Sequence, residues 1–268
     1  MLTNYHTHTF RCGHAAPVPD EAYVEQAIES GYAVLGFSDH TPWPYPSGFE
    51  NRTVRMPLSQ LPEYFQSIRS LREQYRGRIE IRLGLECEYF PAYLDWLRGV
   101  RKQVDYLILG NHFALTDEGG FAFPSATEPE QLALYAQYTT EAMRTGLYAY
   151  LAHPEIVLAQ YPEFDRAART CAERICETAL ETDMPLEYNL YGVDKRARRG
   201  FRGLGYPCEA FWEIAARMGC KAIIGVDAHQ PEHLARTDRF RAAQEYLNGL
   251  GMELLTRLPL PEQAESAY

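Results

Sequence analysis

The chain has 268 residues, of which 46% are hydrophobic and 23% charged, a composition typical of a globular enzyme with a large core. Its net charge of −10 argues against general binding to nucleic acid or to an anionic membrane. The sequence shows no membrane-spanning run, no secretory signal and no disulfide-like or zinc-like spacing of its six cysteines. We therefore predict a cytoplasmic protein with reduced thiols.

Short apolar segments alternate along the chain with helical patterns. After an apolar lead at the N-terminus, the predicted strands are 33–37, 79–85, 105–109, 147–152, 185–189, 221–226 and 252–255. The predicted helices between them are 19–31, 58–75, 93–102, one ending near 146, 164–181, 207–218 and 231–250. This alternation indicates a parallel sheet covered by helices.

At this length, the pattern favours a single α/β domain built as a closed or distorted barrel. We expect that domain to occupy residues 1–258, followed by a frayed C-terminal tail at 259–268. A flavodoxin-like or Rossmann topology is the alternative, although no glycine-rich phosphate turn follows the first strand.

Histidines and acidic residues gather where the predicted strands end. His6 and His8 are two residues apart and would point to the same side of a strand. Seven of the eight histidines follow a strand, and only His233 lies inside a predicted helix. Packing or solubility would place most histidines on helices, so the set indicates a site at the catalytic face of a barrel. The ligand-type residues are His6, His8, His14, His40, Glu86, His112, His153, Asp227 and His229.

These nine side chains exceed the needs of one metal ion, because zinc takes about four ligands. The set suits two or three divalent transition metal ions, and imidazoles with a few carboxylates are compatible with Zn, Fe or Mn.

The segments HTHTFRCGHA, FSDHTP, GLECEY, LGNHF, AHPE and VDAHQPEHL, in that order, resemble the motifs of the polymerase and histidinol phosphatase (PHP) superfamily. The first two are most similar to those of monofunctional histidinol-phosphate phosphatases. The resemblance runs from His6 to about Leu234 and implies a distorted (β/α)7 barrel with a trinuclear metal centre. The chain departs from the family pattern at Asn111, where members often have serine, and in a long basic insert at 194–205.

Carried over residue by residue, the resemblance implies three sets of metal ligands. The first is His6, His8, Glu86 and Asp227; the second is Glu86, His112 and His153; the third is His14, His40 and His229. We predict catalytic roles for Glu86, Asp227 and His229.

A metal pair lowers the pKa of a bridging water and so supplies hydroxide to attack a phosphomonoester. We expect hydrolysis of L-histidinol phosphate to L-histidinol and phosphate, a step of histidine biosynthesis, with this small phosphorylated molecule as the partner. The alternatives are a phosphoesterase for a sugar phosphate, nucleotide or cyclic phosphodiester, and a non-catalytic metal-binding barrel. The sequence does not indicate an oligomeric state.

A basic segment follows the sixth predicted strand and offers cations for phosphate binding. It contains Lys195, Arg196, Arg198, Arg199 and Arg202. Arginine forks suit bidentate phosphate contacts, whereas the alternative is a solvated surface loop. Lys195 and Arg196 lie closest to the strand end and are the preferred substrate-binding candidates.

Some polar and aromatic residues could support the site. Asp39, Glu88 and Glu155 could orient metal ligands or be ordinary buried or solvated carboxylates. The aromatic residues of the proline-rich loop could line a substrate pocket or pack the loop against the domain. They are Trp43, Tyr45 and Phe49.

Overall fold

Parallel strands alternate with helices along residues 1–260, the part of the chain that the computed structural model describes. The strands are β1 (Leu2–Asn4), β2 (Tyr32–His40), β3 (Glu80–Cys87), β4 (Tyr106–Leu109), β5 (Leu186–Asn189), β6 (Lys221–Gly225) and β7 (Glu253–Leu255). The helices are α1 (Asp20–Glu29), α2 (Leu61–Gln74), α3 (Leu94–Arg101), α4 (Pro129–Arg144), α5 (Arg166–Thr182), α6 (Leu190–Ala197), α7 (Glu209–Met218), α8 (Pro231–Ala235) and α9 (Thr237–Gly249). Within residues 1–260, no helix combines the length and the apolar character needed to cross a membrane.

The strands form two parallel sheets that join into a barrel. One sheet has the order β1-β2-β3-β4 and the other the order β5-β6-β7. Leu151 pairs with Leu109 of β4 and with Leu186 of β5, which links the sheets on one side. On the other side, Thr7 pairs with Ala228 just beyond the ends of β1 and β6. The predicted α/β fold with a distorted barrel is confirmed.

Two predicted elements differ from the structure. The segment 147–152 is not a regular strand, because only Leu151 pairs there in the manner of a sheet. The Leu151 amide donates to Pro185, the neighbouring amides at Ala149 and Ala152 donate to β4, and His153 then turns the chain at a φ of 30°. The predicted helix 231–250 is likewise broken at Arg236, whose ψ of 56° is not helical. The predicted tail at 259–268 lies outside the described residues from 261 onward, and the domain limit at 258 stays a prediction.

The barrel interior contains its own apolar cluster, separate from the core between strands and helices. Its centre is Tyr106, whose hydroxyl donates to the carbonyl oxygens of Tyr5 (2.7 Å) and Phe37 (3.1 Å). A side chain at Gly36 or Gly84 would overlap the Tyr106 phenol, so both glycines are required for this packing. The cluster consists of Tyr5, Val34, Tyr106, Ile108, Tyr150, Ala152, Ile223 and Leu258. It fills the barrel beneath the carboxyl ends of the strands.

Candidate metal centre and its cavity

The nine ligand-type side chains meet at the carboxyl end of the barrel strands. Carboxyl ends of parallel strands share one edge, so side chains distant in sequence converge there. His40 ends β2, and Glu86 is the penultimate residue of β3. The remaining seven follow β1, β4, Leu151 or β6 and are His6, His8, His14, His112, His153, Asp227 and His229. The structure thus brings together every residue of the predicted ligand set.

Glu86 lies at the centre of this cluster and is almost completely buried. Its Oε1 lies 2.9 Å from His153 Nε2 and 3.3 Å from His112 Nε2. Its Oε2 faces three further imidazoles, those of His40 (Nδ1, 2.9 Å), His6 (Nε2, 3.5 Å) and His8 (Nε2, 3.5 Å). A side chain at Gly110 would collide with this carboxylate. One oxygen therefore faces the second predicted ligand set, and the other faces His6 and His8 of the first set together with His40 of the third.

Asp227 closes the cluster from the opposite strand. Its Oδ1 lies 3.1 Å from His8 Nε2, 3.5 Å from His6 Nε2 and 3.3 Å from His229 Nδ1. Asn189 donates to its other oxygen at 3.2 Å, which limits rotation of the carboxylate. Asp227 has a φ of 53°, a left-handed conformation that aspartate tolerates better than most residues.

A third group consists of His14, His40 and His229, each of which offers a ring nitrogen within 4.8 Å of the others. His14 Nε2 and His229 Nε2 are 3.0 Å apart. His14 is the only exposed member of the nine, and it is carried by the turn after a short 3-10 helix, Phe10–Cys12. This group matches the predicted ligands of a third ion.

Buried carboxylates behind the cluster fix the orientation of two imidazoles. Glu187 Oε1 lies 2.8 Å from His6 Nδ1, and Glu88 Oε1 lies 3.1 Å from His112 Nδ1. An ionised carboxylate only accepts hydrogen bonds, so the hydrogen-bond pattern assigns a proton to each Nδ1. The lone pair of each Nε2 then points at Glu86, which is also an acceptor. Such opposed acceptors need a cation between them, which is either a second proton on the imidazole, favoured by the carboxylates that raise the pKa of His6 and His112 against the effect of burial, or a metal ion that replaces it.

The electrostatics of the cluster match this requirement. Burial alone would raise the pKa of Glu86 and of Asp227, yet the neighbouring imidazoles hold both values well below the usual range. Burial lowers the pKa of His40 to about 3, in spite of the attraction of Glu86. For His8, burial opposes protonation, but the nearby carboxylates of Asp227 and Asp39 raise the pKa to about 9. The carboxylates are therefore ionised near neutral pH, and His40 is neutral.

Several buried polar atoms of the cluster make no hydrogen bond with the described residues. They are His6 Nε2, both ring nitrogens of His8, His40 Nδ1, Glu86 Oε2, His153 Nδ1 and Asp227 Oδ1. Each buried unsatisfied group costs about 1–3 kcal/mol, so their concentration at one place needs a compensating ligand. Neutral imidazoles and ionised carboxylates are ligands of divalent zinc, iron and manganese, and the donor set fits such ions.

A cavity of about 400 Å³ opens above the cluster. Its floor includes Glu86, Asp227 and five of the histidines. The apolar part of its lining consists of Val54, Phe113, Ala122, Pro124 and Ile156. The lining also includes Tyr191, Lys195 and Tyr206. The cavity can therefore hold a small molecule with one charged end at the floor.

The basic segment is not the loop that we predicted. Lys195 and Arg196 belong to α6, whose N-cap is Asn189; the Asn189 side chain accepts a hydrogen bond from the Gly192 amide. Arg196 donates to the carbonyl oxygens of Leu204 (2.6 Å) and Pro207 (2.7 Å), so its guanidinium holds the following turn. The remaining cations are exposed and do not line the cavity; they are Arg198, Arg199 and Arg202. Of the five predicted substrate-binding residues, the structure brings Lys195 to the cavity.

The supporting residues have different surroundings. Asp39 lies 3.6 Å from His8 Nδ1, and Glu88 contacts His112, so both lie behind ligands. Glu155 instead accepts from Trp212 Nε1 (2.6 Å) and the Cys208 amide, neither of which belongs to the ligand set. The aromatic residues of the proline-rich loop line a separate hollow of about 170 Å³ and not the main cavity; they are Trp43, Tyr45 and Phe49.

Sequence analysis missed Glu187 and Arg55. Glu187 is fully buried in β5 between Leu186 and Tyr188, and a charged residue inside a predicted buried strand is a signal that could have identified it. The carboxylate also fits only because residue 225 is glycine. Arg55 lies in an irregular loop, and no sequence pattern indicates its burial.

Comparisons with known proteins agree with the geometry. The chain is 28% identical over 264 residues to a Deinococcus radiodurans protein named "Probable histidinol-phosphatase", covering 95% of this chain and 96% of that protein. It is 26% identical over 252 residues to the histidinol-phosphatase of Bacillus subtilis, covering 84% and 92% of the two chains.

A solved structure shares the fold. It is the histidinol phosphate phosphatase of Lactococcus lactis in complex with zinc, L-histidinol and phosphate, with a TM-score of 0.70 and 20% identity. The alignment covers 94% of this chain and 95% of that one. In addition, the family model described as the PHP domain matches residues 4–190, which contain seven of the nine ligand-type residues. The chain belongs to the PHP family.

Proposed function

We propose that this chain is a metal-dependent phosphomonoester hydrolase that converts L-histidinol phosphate to L-histidinol and phosphate. The observation that carries the proposal is the cluster of nine ligand-type side chains, seven of which line a cavity sized for a small molecule. The names of the Bacillus and Deinococcus relatives, which align over most of the chain, favour this substrate among phosphomonoesters. The reaction would serve histidine biosynthesis.

Three ligand sets share the cluster. The first comprises His6, His8, Glu86 and Asp227; the second comprises Glu86, His112 and His153; the third comprises His14, His40 and His229. Divalent ions held there would acidify a bound water and neutralise the charge of the phosphate.

The protein itself supplies proton handling and orientation. Asp227 is ionised and fixed by Asn189, so its Oδ1 can accept the proton of an attacking water. His229 lies 3.3 Å from that oxygen and lines the cavity; burial holds its pKa well below the usual range, so its neutral imidazole would hold a metal ion beside the reacting phosphate rather than supply a proton. The Glu86 carboxylate contacts five imidazoles and so fixes their positions on the floor of the cavity.

The cavity walls have different tasks in this proposal. Lys195 adds a positive charge at the rim and would attract the phosphate dianion in spite of the net charge of −10. Tyr191 packs 5.0 Å from the ring of His229, and Tyr206 packs 5.8 Å from that of His153. Together with the apolar lining residues, these rings would enclose the organic part of the substrate and exclude water.

We also propose a cytoplasmic enzyme without nucleic-acid or membrane partners. All six cysteines are buried and unpaired, as expected for thiols in a reducing compartment.

The proposal is tested by a phosphatase screen on protein reconstituted with Zn²⁺, Fe²⁺ or Mn²⁺. L-Histidinol phosphate is compared with sugar phosphates, nucleotides and cyclic phosphodiesters. We expect its kcat/KM to exceed that of every other compound by about 100-fold or more, because a built polar site rejects analogues strongly. A higher value for another compound would transfer the assignment to that substrate. Inactivity toward all of them with metals bound would instead support a non-catalytic barrel.

A further inference from the structure

The proline-rich segment 41–57, between β2 and α2, has no helix or strand of its own apart from turns. It nevertheless contains a deeply buried cation, because the Arg55 side chain is only 2% exposed. Its guanidinium contacts two carboxylates, Glu88 (Nη2 to Oε1, 2.9 Å; Nη1 to Oε2, 3.1 Å) and Asp117 (Nε to Oδ2, 2.9 Å). Nη1 also donates to the Thr41 carbonyl oxygen at 2.7 Å. Such a set of bonds fixes the guanidinium completely.

Glu88 connects this arginine to the metal cluster. It follows β3 by one residue, is fully buried and accepts a hydrogen bond from Trp43 Nε1 at 2.9 Å. The same Oε1 that contacts Arg55 lies 3.1 Å from His112 Nδ1. A continuous chain of charge-assisted contacts therefore runs from Arg55 through Glu88 to a predicted metal ligand.

The carboxylate depends on Arg55 for its position. A buried carboxylate without a countercharge is strongly unfavourable, and it would have to rotate, take up a proton or draw in water. In any of these states, Glu88 would no longer hold the proton on Nδ1 of His112. The imidazole would then be free to present the wrong nitrogen to Glu86.

We propose that Arg55 is a positioning residue for metal binding. Through Glu88 it orients His112 with Nε2 toward Glu86, and it thereby sets the affinity for the ion that Glu86, His112 and His153 would share. The inference rests on the metal centre of the proposed function but not on its substrate.

A purely structural role of Arg55 makes a different prediction, and Arg72 provides the matched comparison. Arg72 pairs with Asp105 and donates to the Ile81 carbonyl oxygen (3.0 Å), near the amino ends of β3 and β4. It is less deeply buried than Arg55, and its contacts lead away from the cluster. Arg72→Met therefore removes an arginine–carboxylate pair without touching a ligand.

The experiment measures Co²⁺ bound per chain, without substrate. The Arg55→Met, Arg72→Met and parent proteins are loaded with Co²⁺, titrated with a chelator, and followed by elemental analysis and visible absorption. We expect Arg55→Met to release one ion at a chelator concentration about tenfold or more below the parent value, as for other residues that orient metal ligands. Arg72→Met should stay within about twofold of the parent. Equal retention by Arg55→Met and the parent would overturn the proposal.

A double variant tests the route through His112. His112→Ala removes the ligand itself, so Arg55→Met added to it should cause no further loss of cobalt. A further loss of similar size would mean that Arg55 acts independently of His112, which contradicts the proposal. If Arg55→Met does not fold, Arg55→Lys takes its place with the same expectations, because lysine keeps the charge but not the two-pronged contact with Glu88. If Arg55→Met retained cobalt as the parent does and kept full activity, this inference alone would be wrong and the proposed function would stand.

Discussion

The floor and the rim of the cavity hold their charges in different ways. On the floor, Glu86 and Asp227 are 1% and 5% exposed and contact several imidazoles each. On the rim, Lys195 is exposed, and its ammonium lies 5.0 Å from the ring of Phe201. The floor charges are fixed before any substrate arrives, whereas the rim charge is mobile and screened by solvent.

This difference predicts how mutations act. Replacing one floor residue leaves the charged or polar groups of its neighbours buried without a partner. Metal binding by the whole cluster should then be weakened. Removing a rim cation takes away one contact and leaves the rest of the site intact. The following variants measure that contrast, from the largest effect to the smallest.

Glu86→Gln should have the largest effect. The amide keeps the shape of the side chain but loses the negative charge that faces five imidazoles. We expect kcat/KM to fall by about 1,000-fold or more, with loss of more than one metal ion per chain, since two ligand sets share this residue. Steady-state kinetics and elemental analysis provide the measurement.

The control is His14→Ala, which removes a ligand at the exposed edge of the cluster. Its loss should be smaller than that of Glu86→Gln and restricted to one ion. If Glu86→Gln retained the full metal content and rate, the central role of Glu86 would be wrong.

Glu187→Gln should have an intermediate effect. Glu187 orients His6 from behind and accepts from the His153 amide at 3.1 Å, but it is not in the ligand set. We expect metal affinity to fall by about 10- to 100-fold, measured by chelator competition.

Glu155→Gln is the matched control for that variant, because Glu155 is equally buried but contacts no ligand. Burial raises the pKa of Glu155 to about 7, so its neutral form is already well populated near neutral pH and an amide replaces it at little cost. Metal affinity should stay within about threefold of the parent. Equal losses in both variants would show that any buried carboxylate has this effect.

Lys195→Ala tests the rim. A charge-assisted bond to phosphate contributes about 1.5–3 kcal/mol, so its removal should lower kcat/KM by roughly tenfold or more with metal content unchanged. Arg198→Ala, in the same segment but outside the cavity lining, should stay within about twofold at high salt. Equal kcat/KM values for the two variants would show that Lys195 does not bind the substrate.

Arg196→Ala should have the smallest effect on catalysis. Its two hydrogen bonds go to backbone carbonyl oxygens of the turn that follows α6. We expect kcat/KM within about threefold of the parent and a loss of stability of about 1–2 kcal/mol, or a few degrees in Tm. A large fall in kcat/KM at unchanged Tm would return Arg196 to the phosphate-binding role that its sequence position suggested.

The two regions also differ in how far the sequence predicts them. The floor residues were identified because strand ends fix where a short side chain lies, and His6, His40 and Glu86 all follow or end apolar runs. Lys195 and Arg196 have long side chains whose direction depends on the local backbone. That backbone was predicted as a loop, because Gly192 and the charges after it weaken the helical pattern. In the folded chain, the Asn189 cap and the ion pairs of Asp194 with Arg236, which lies between α8 and α9, and with Arg239 of α9 stabilise the helix.

The supporting network was the part that the sequence did not predict. Arg55 and Asp117 lie in separate irregular segments, and only the folded chain shows that Arg55 contacts both Asp117 and Glu88. Such contacts arise from tertiary packing, for which a single sequence carries no periodic signal. Glu187 differs, because a charged residue within a predicted buried strand is visible in the sequence itself.

The packing of Tyr5, Tyr106 and Tyr150 inside the barrel has a consequence for exchange with solvent. These phenols are at most 2% exposed and seal the barrel below the cluster. Within residues 1–260, the opening above the floor is the cavity that the substrate would also use, so we expect ions to enter and leave through it. A bound phosphate would block this route. Chelators should therefore remove the metal ions more slowly when inorganic phosphate is present, and the metals should bind before the substrate rather than with it.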